Sequence, residues 1–175
     1  MIDIQEILFD EQTIIEKVRD MAVRISKDYA GKEVVLISIL KGAAVFTADL
    51  MRHISIPVMV DYVQAASYGA STTSSRNIVI KKDIETDIGG RHVLLVDTII
   101  DTGSTMDYLI KKIREKRPAS LRTVALLDKR SRRLVDVPID YPGFTIPDRF
   151  VVGYGLDCKE QYRNLPSIAV VAKPV

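Results

Sequence analysis

The sequence holds one cysteine and two histidines in 175 residues. A lone thiol forms no intramolecular disulfide, and so few soft or imidazole ligands nearly exclude a zinc centre. No charge prevails: 25 Lys and Arg stand against 23 Asp and Glu, for a formal net charge of +2. So even a balance argues against a dedicated nucleic-acid binder. Apolar runs are short, and none approaches the roughly 18 residues that span a bilayer. Met1 to Asp10 carries three acidic residues and no basic one, which is not the pattern of a signal peptide. The hydrophobic share of 47% and the charged share of 27% are those of a globular chain rather than a disordered one. These bounds predict one cytoplasmic domain over residues 1–175, with no membrane partner.

What is present is an alternation of helical and strand patterns. Ile14, Ile15, Val18, Met21, Ala22 and Ile25 recur at helical spacing and predict an N-terminal amphipathic helix ending near Gly31. Val34–Ile39 is short, apolar and rich in β-branched residues, which predicts a buried strand. Lys41-Gly42 follows, then a helical stretch through Ala44, Phe46, Leu50 and Met51. Further strands are expected at 58–63, 93–96, 123–127, 150–152 and Ile168–Val171, with a helix through Met106, Leu109, Ile110 and Ile113. The alternation predicts an α/β fold: a mostly parallel twisted sheet with helices on both faces. Such sheets take ligands beyond the carboxyl ends of their strands. Polar residues cluster in those places: Lys41, residues 97–105 and residues 129–133.

Charge is uneven locally. Ten basic residues lie between Lys111 and Arg133 against two acids, and six acids lie between Asp83 and Asp107 against Arg91. An acidic loop beside a basic one suits a metal-chelated anion better than nucleic acid. His53 and His92 flank strands and read as structural; Cys158 neighbours Asp157 and reads as packing, with no basic partner identifiable to activate it. Residues 67–75 are small, polar and nearly uncharged, with Tyr68 the one large group, a composition suited to a lid.

The most informative stretch is 93–106. A buried strand leads into Asp97-Thr98-Ile99-Ile100-Asp101, then Thr102-Gly103-Ser104-Thr105, then a helix. A helix start offers free N–H groups and the positive end of its dipole. Gly103 lets the backbone approach a ligand, and the flanking hydroxyls add donors, which together make a phosphate cradle. No Gly-x-x-x-x-Gly-Lys is present, so this is not the Walker loop. The upstream carboxylates would repel phosphate, so they must face sugar hydroxyls, a metal ion or a substrate proton.

This stretch resembles the fingerprint of the phosphoribosyltransferases, which bind 5-phosphoribosyl-1-pyrophosphate (PRPP). Further segments are similar to the 6-oxopurine salvage branch, and nearest to the bacterial hypoxanthine phosphoribosyltransferase family: Leu40-Lys41-Gly42, Ser67-Tyr68-Gly69, Leu126-Leu127-Asp128-Lys129 with Ser131-Arg132-Arg133, residues 146–157, and Gln161-Tyr162-Arg163-Asn164-Leu165-Pro166. The resemblance implies a type I phosphoribosyltransferase fold with a small hood over the base. It implies that the backbone of Leu40, Lys41 and Gly42 surrounds pyrophosphate, with a cis-capable Leu40–Lys41 peptide, and that Arg163 assists, with Arg133 supporting that side. Thr102, Gly103, Ser104 and Thr105 would hold the 5′-phosphate, and Asp97 with Thr98 the ribose hydroxyls. Asp101 would manage the proton on purine N7. Lys129 would donate to O6, Phe150 would stack on the base, and the Val151 backbone would read its edge. Asp157, with Asp97, would serve Mg²⁺, and Ser67 and Tyr68 would open the lid. The implied partners are PRPP, a 6-oxopurine and a second or further copies of the chain, as a homodimer or homotetramer.

One departure stands out. The family usually places two acids, typically Glu-Asp, where this chain has Asp97-Thr98. A neutral Thr98 is expected to raise the PRPP requirement relative to an acid there, since hydrogen bonds to charged groups are the stronger. Two other readings remain: a PRPP- or nucleotide-binding regulator without turnover, and a transferase for xanthine, adenine or a pyrimidine.

Overall fold

The computed structural model describes residues 4–68 and 77–172. In chain order the elements are β1 (Ile4–Phe9), α1 (Glu11–Asp28), β2 (Val34–Ile39), α2 (Ala44–His53), β3 (Val58–Tyr68), β4 (Asn77–Lys82), β5 (His92–Ile100), α3 (Ser104–Glu115), β6 (Ser120–Asp128), β7 (Tyr141–Thr145), β8 (Val151–Val152) and β9 (Ile168–Val171). The central sheet runs β4-β3-β2-β5-β6-β7 and is parallel except where β3 meets β4. A second, antiparallel sheet, β1-β9-β8, forms the hood.

Alternation along the strands builds two cores. Val34 and Leu36 of β2, with Leu94 and Val96 of β5, face α1 and α2, where Ile14, Val18, Phe46 and Leu50 meet them. Val35, Ile37, Val93 and Leu95 face the other way, onto Met106, Leu109, Ile110 and Ile113 of α3. This double coverage explains why β2 is buried at all six positions and reads as one apolar run. At the head of α1, Asp10 accepts from the Thr13 N–H at 2.8 Å, a side-chain N-cap.

The predicted elements are present, and three strands are added: β1, β4 and β7. The strand expected at 58–63 continues to Tyr68, and the one expected at 93–96 continues to Ile100, so Asp97 and Thr98 lie inside a strand rather than in a turn. His53 closes α2, and His92 opens β5 with its Nδ1 2.8 Å from the Ser120 hydroxyl. Cys158 is buried beside Val152, Ala169 and Val171. Among the described residues no helix is long and apolar enough to cross a membrane.

A buried carboxylate ties β3 to the segment between β4 and β5. Asp61 accepts from the N–H groups of Tyr62 (2.6 Å), Glu85 (2.8 Å) and Thr86 (2.7 Å). Burial works to raise its pKa, but the N–H groups of Thr86, Tyr62 and Glu85 together outweigh it and bring it down to about 2. A lowered pKa stabilises the fold above the ordinary carboxylate range, and that stability is lost as pH falls toward 2. Asp61→Asn is therefore expected to cost ~1–3 kcal/mol at pH 7. Urea unfolding at pH 7 and pH 3 should show a clear gap between variant and parent at the first and a narrower one at the second.

Candidate active site

β2, β5 and β6 all end at the same edge of the sheet. Their parallel pairing sets Ser38 beside Val96 and Ile100 beside Asp128. The residues just beyond therefore gather at one mouth: Lys41 after β2, Asp101 after β5, Lys129 after β6. The Lys129 N–H donates to the Ile100 carbonyl at 3.0 Å, which fixes the last two relative to each other.

Between this edge and the hood lies a cavity of about 650 Å³. Asp101, Lys129, Phe150, Val151 and Asp157 line it, together with Arg132. Lys129 is only 6% exposed and is part of the cavity wall. Arg132 was not among the residues singled out by sequence. Its Nε lies 2.9 Å from Asp101 Oδ1, and its Nη1 lies 3.6 Å from Asp148 Oδ1 on the hood side.

A smaller pocket of about 120 Å³ adjoins it, lined by Asp97, Asp101, Thr102, Gly103 and Thr105. Gly103 has φ 86° and precedes α3, whose first N–H groups lack helical partners. A Cβ there would collide with the Val135 carbonyl oxygen, so glycine is required by space as well as by φ. The loop is held from behind by the N–H groups of Leu134 (2.9 Å) and Val135 (3.1 Å), both donating to the Thr102 carbonyl. The Thr102 hydroxyl lies 3.2 Å from that of Ser104. Asp97 is partly buried, and its surroundings push its pKa up to about 7 against the pull of the Ile99 and Thr98 N–H groups.

Leu40, Lys41 and Gly42 converge on the hood. The Leu40–Lys41 peptide is cis. The Thr98 hydroxyl, fully buried, donates to the Gly42 carbonyl at 3.0 Å. Gly155 (φ 93°) packs against the same carbonyl, where a Cβ would clash. Lys41 Nζ lies 2.9 Å from Glu160 Oε2. Arg163 pairs with Asp157 (2.8 Å) and Glu160 (3.2 Å) and donates to the Gly155 carbonyl (2.8 Å).

Two expectations change. Thr98 does not stand beside Asp97 facing a sugar. Successive strand residues point to opposite faces, and Thr98 is spent on the Gly42 carbonyl. Arg133 does not join Lys41 and Arg163. It pairs with buried Asp128 behind the phosphate loop and lines a separate pocket with Arg130 and Asp136. Ser67 and Tyr68 end β3, and the rest of the expected lid, residues 69–75, lies outside the described residues. Glu160 and Asp148 were missed along with Arg132; Arg132 and Asp148 sit inside segments already marked as functional, and Glu160 falls in the gap between two of them, after Asp157 and before Gln161.

The chain can now be set against known proteins. The family model described as the phosphoribosyl transferase domain matches residues 5–159. Over 173 residues the chain is 46% identical to the hypoxanthine-guanine phosphoribosyltransferase of Streptococcus pneumoniae, covering 99% of this chain and 96% of that one. It is 42% identical, with the same coverage, to the Bacillus subtilis protein of that name. The crystal structure of a hypoxanthine-guanine phosphoribosyltransferase from Bacillus anthracis matches with a TM-score of 0.92 and 44% identity, over 98% of this chain and 100% of that one.

Two variants test the geometry without any ligand. Thr98→Val keeps the shape but leaves the buried Gly42 carbonyl unpaired, at an expected cost of ~1–3 kcal/mol. Thr98→Asp sets one acceptor against another and should cost at least as much in thermal unfolding, rather than improving the site. For Asp97 the raised pKa means stability is present below the ordinary carboxylate range and declines as pH rises through about 7. Asp97→Asn should thus melt a few degrees above the parent at pH 8 and match it near pH 4.

Proposed function

Because the chain belongs to the phosphoribosyl transferase family, we propose that it is a purine-salvage enzyme, transferring the 5-phosphoribosyl group from PRPP to N9 of hypoxanthine or guanine with release of pyrophosphate. The observation that carries this reading is the large cavity. A carboxylate (Asp101), a buried ammonium (Lys129) and an aromatic ring (Phe150) line one space of a size that suits a nucleotide. An ammonium can donate to the O6 of a 6-oxopurine but cannot accept from the amino group of adenine. That asymmetry favours a 6-oxopurine over adenine.

The roles follow from position. Phe150 stacks on the purine and the Val151 backbone reads its edge. Thr102, Gly103, Ser104 and Thr105 hold the 5′-phosphate at the start of α3. Asp97 accepts from the ribose hydroxyls. The loop of Leu40, Lys41 and Gly42, with Arg163, holds pyrophosphate; Thr98 serves by fixing that loop, not by touching the sugar. Cleavage of the C1′–O bond develops positive charge on ribose, as in glycoside cleavage. Asp101, near N7, takes or returns the purine proton, and Lys129 stabilises charge on O6. Ser67 and Tyr68 begin a lid that shields the cation from water.

Mg²⁺ fits this donor set. Among the described residues no cluster of three or more His, Cys, Asp or Glu could hold a metal on its own. Mg²⁺ takes one or two carboxylates and completes its shell with phosphate oxygens and water. Asp157, on the wall of the large cavity, supplies such a carboxylate, and Asp97 a second. When bound, the ion neutralises the diphosphate leaving group. The enzyme works in the cytoplasm as a single domain over 1–175, assembled as a homodimer or homotetramer.

Steady-state assays with PRPP and Mg²⁺ across hypoxanthine, guanine, xanthine and adenine test the proposal. Turnover of hypoxanthine or guanine, abolished by chelator, is expected. A folded protein that binds IMP but turns over no base would instead be a regulator. Asp101→Asn should lower kcat by ~100-fold or more, in the range of a general acid–base group, while nucleotide affinity changes far less. Equal losses in both would remove Asp101 from the chemistry.

A further inference from the structure

Glu160 has no role in the reaction as described, yet its carboxylate is the meeting point of the pyrophosphate corner. One oxygen, Oε2, accepts from Lys41 at 2.9 Å and from Arg163 at 3.2 Å. Those cations come from opposite sides of the site, one following β2 and the other following the hood turn. The Glu160 N–H also donates to Asp157 Oδ2 at 2.9 Å, so the residue is tied to the third charged group there.

The backbone that presents Glu160 is unusual. Cys158 and Gln161 exchange hydrogen bonds across a two-residue turn. Its central residues, Lys159 (φ 51°) and Glu160 (φ 65°), both lie in the left-handed region. Two-residue turns of this kind favour Asn-Gly or Asp-Gly, and here neither position is glycine. A long acidic side chain held in a costly conformation suggests a use for that side chain.

We propose that Glu160 is an internal stand-in for pyrophosphate. Its carboxylate holds Lys41 and Arg163 in place while no diphosphate is present, and it is displaced when a diphosphate takes the same two cations. Diphosphate binding must break both contacts, so Glu160 weakens the hold on pyrophosphate and promotes its release. Glu160 is thus a positioning residue that sets diphosphate affinity. The inference rests on the assignment of the Leu40–Gly42 loop and Arg163 to pyrophosphate made above, and adds the Lys41 ammonium to it.

Titration calorimetry of the full chain with pyrophosphate and Mg²⁺, in the absence of base, reads the effect directly. Glu160→Gln keeps the length and loses the charge. Glu160→Asn tolerates the left-handed backbone and is too short to reach the cations. Both ion pairs are solvent-exposed on the Glu160 side, with 65% of that side chain accessible, so each is weak. Each variant is expected to bind pyrophosphate about fivefold more tightly, with a parallel fall in the KM for PRPP and no rise in kcat. Lys41→Gln is the control and should weaken pyrophosphate by roughly tenfold. Unchanged or weaker binding in both Glu160 variants, with Lys41→Gln still weakened, overturns the stand-in role and leaves the pyrophosphate assignment intact. Unchanged binding in Lys41→Gln overturns the stand-in role as well, because diphosphate then does not take the Lys41 ammonium, and failure of the parent chain to bind pyrophosphate overturns the assignment of the loop itself. Thermal unfolding of each variant separates these outcomes from loss of fold.

Discussion

The site depends on the register of β5 between β2 and β6. Hydrophobic patterning specifies register well only where one face of a strand is buried and the other wet. Here β2 is buried on both faces and β5 through most of its length, so a slip by one residue would exchange apolar groups for apolar groups. Polar pins supply the missing specification. The Thr98 hydroxyl finds the Gly42 carbonyl, the Lys129 N–H finds the Ile100 carbonyl, and the Thr47 hydroxyl donates to Ser38 at 2.8 Å inside the core between α2 and β2. At the far end of β6, Asp140 accepts from the Thr123 N–H at 2.7 Å. Each of these groups is buried or partly buried and would go unpaired in a shifted sheet, which makes slippage expensive. Because the pins hold both ends of the parallel ladder, Lys41, Asp101 and Lys129 arrive together.

What could be read from the sequence divides along the same physical line. β2, β5, β6 and the three helices announce themselves because burial writes a period or an apolar run into the chain. β1 does not: its first four residues are exposed, and its partner β9 lies at the other end of the sequence. β7 carries Pro142 and Gly143, residues that are depleted in strands and write no strand pattern into the chain. Pro142 is tolerated because β7 is the edge strand, and Gly143 is required because a Cβ would strike the Leu126 carbonyl. At the site, the loop before α3 was legible because glycine and hydroxyls stand together at a strand–helix junction. Thr98 was misplaced because sequence adjacency to Asp97 says nothing about which face of the strand each occupies. Arg132 and Arg133 look alike in sequence, and only the short helical turn over Arg130–Arg132 decides that one faces the cavity and the other Asp128.

The charges of the site are paired with one another in a specific way. Asp101 shares Arg132 with Asp148, and Asp157 shares Arg163 with Glu160, which also takes Lys41. In the first cluster Arg132 bridges carboxylates from two parts of the chain, and in the second Glu160 takes cations from two, Lys41 and Arg163, so the charged groups are held in position across the mouth of the cavity. A site for a sugar that carries both a monophosphate and a diphosphate must hold cations that would repel one another if left alone. Internal carboxylates remove that repulsion, and because these pairs are half-exposed rather than buried, exchanging them for ligand oxygens costs little.

Three aspartates illustrate how placement divides labour among chemically identical groups. Asp97 sits inside a strand, where burial favours its protonated form. Asp101 sits one turn later at the open end of the strand, facing a guanidinium. Asp157 sits on the hood, held by Arg163 and by the Glu160 N–H, with lone pairs left for a cation. A carboxylate that ionises reluctantly suits a diol, one at a cavity wall suits a travelling proton, and one oriented by two donors suits a metal. The side chains are the same; strand, turn and hood make them different, and that difference is what the parallel sheet and its hood contribute to the chemistry.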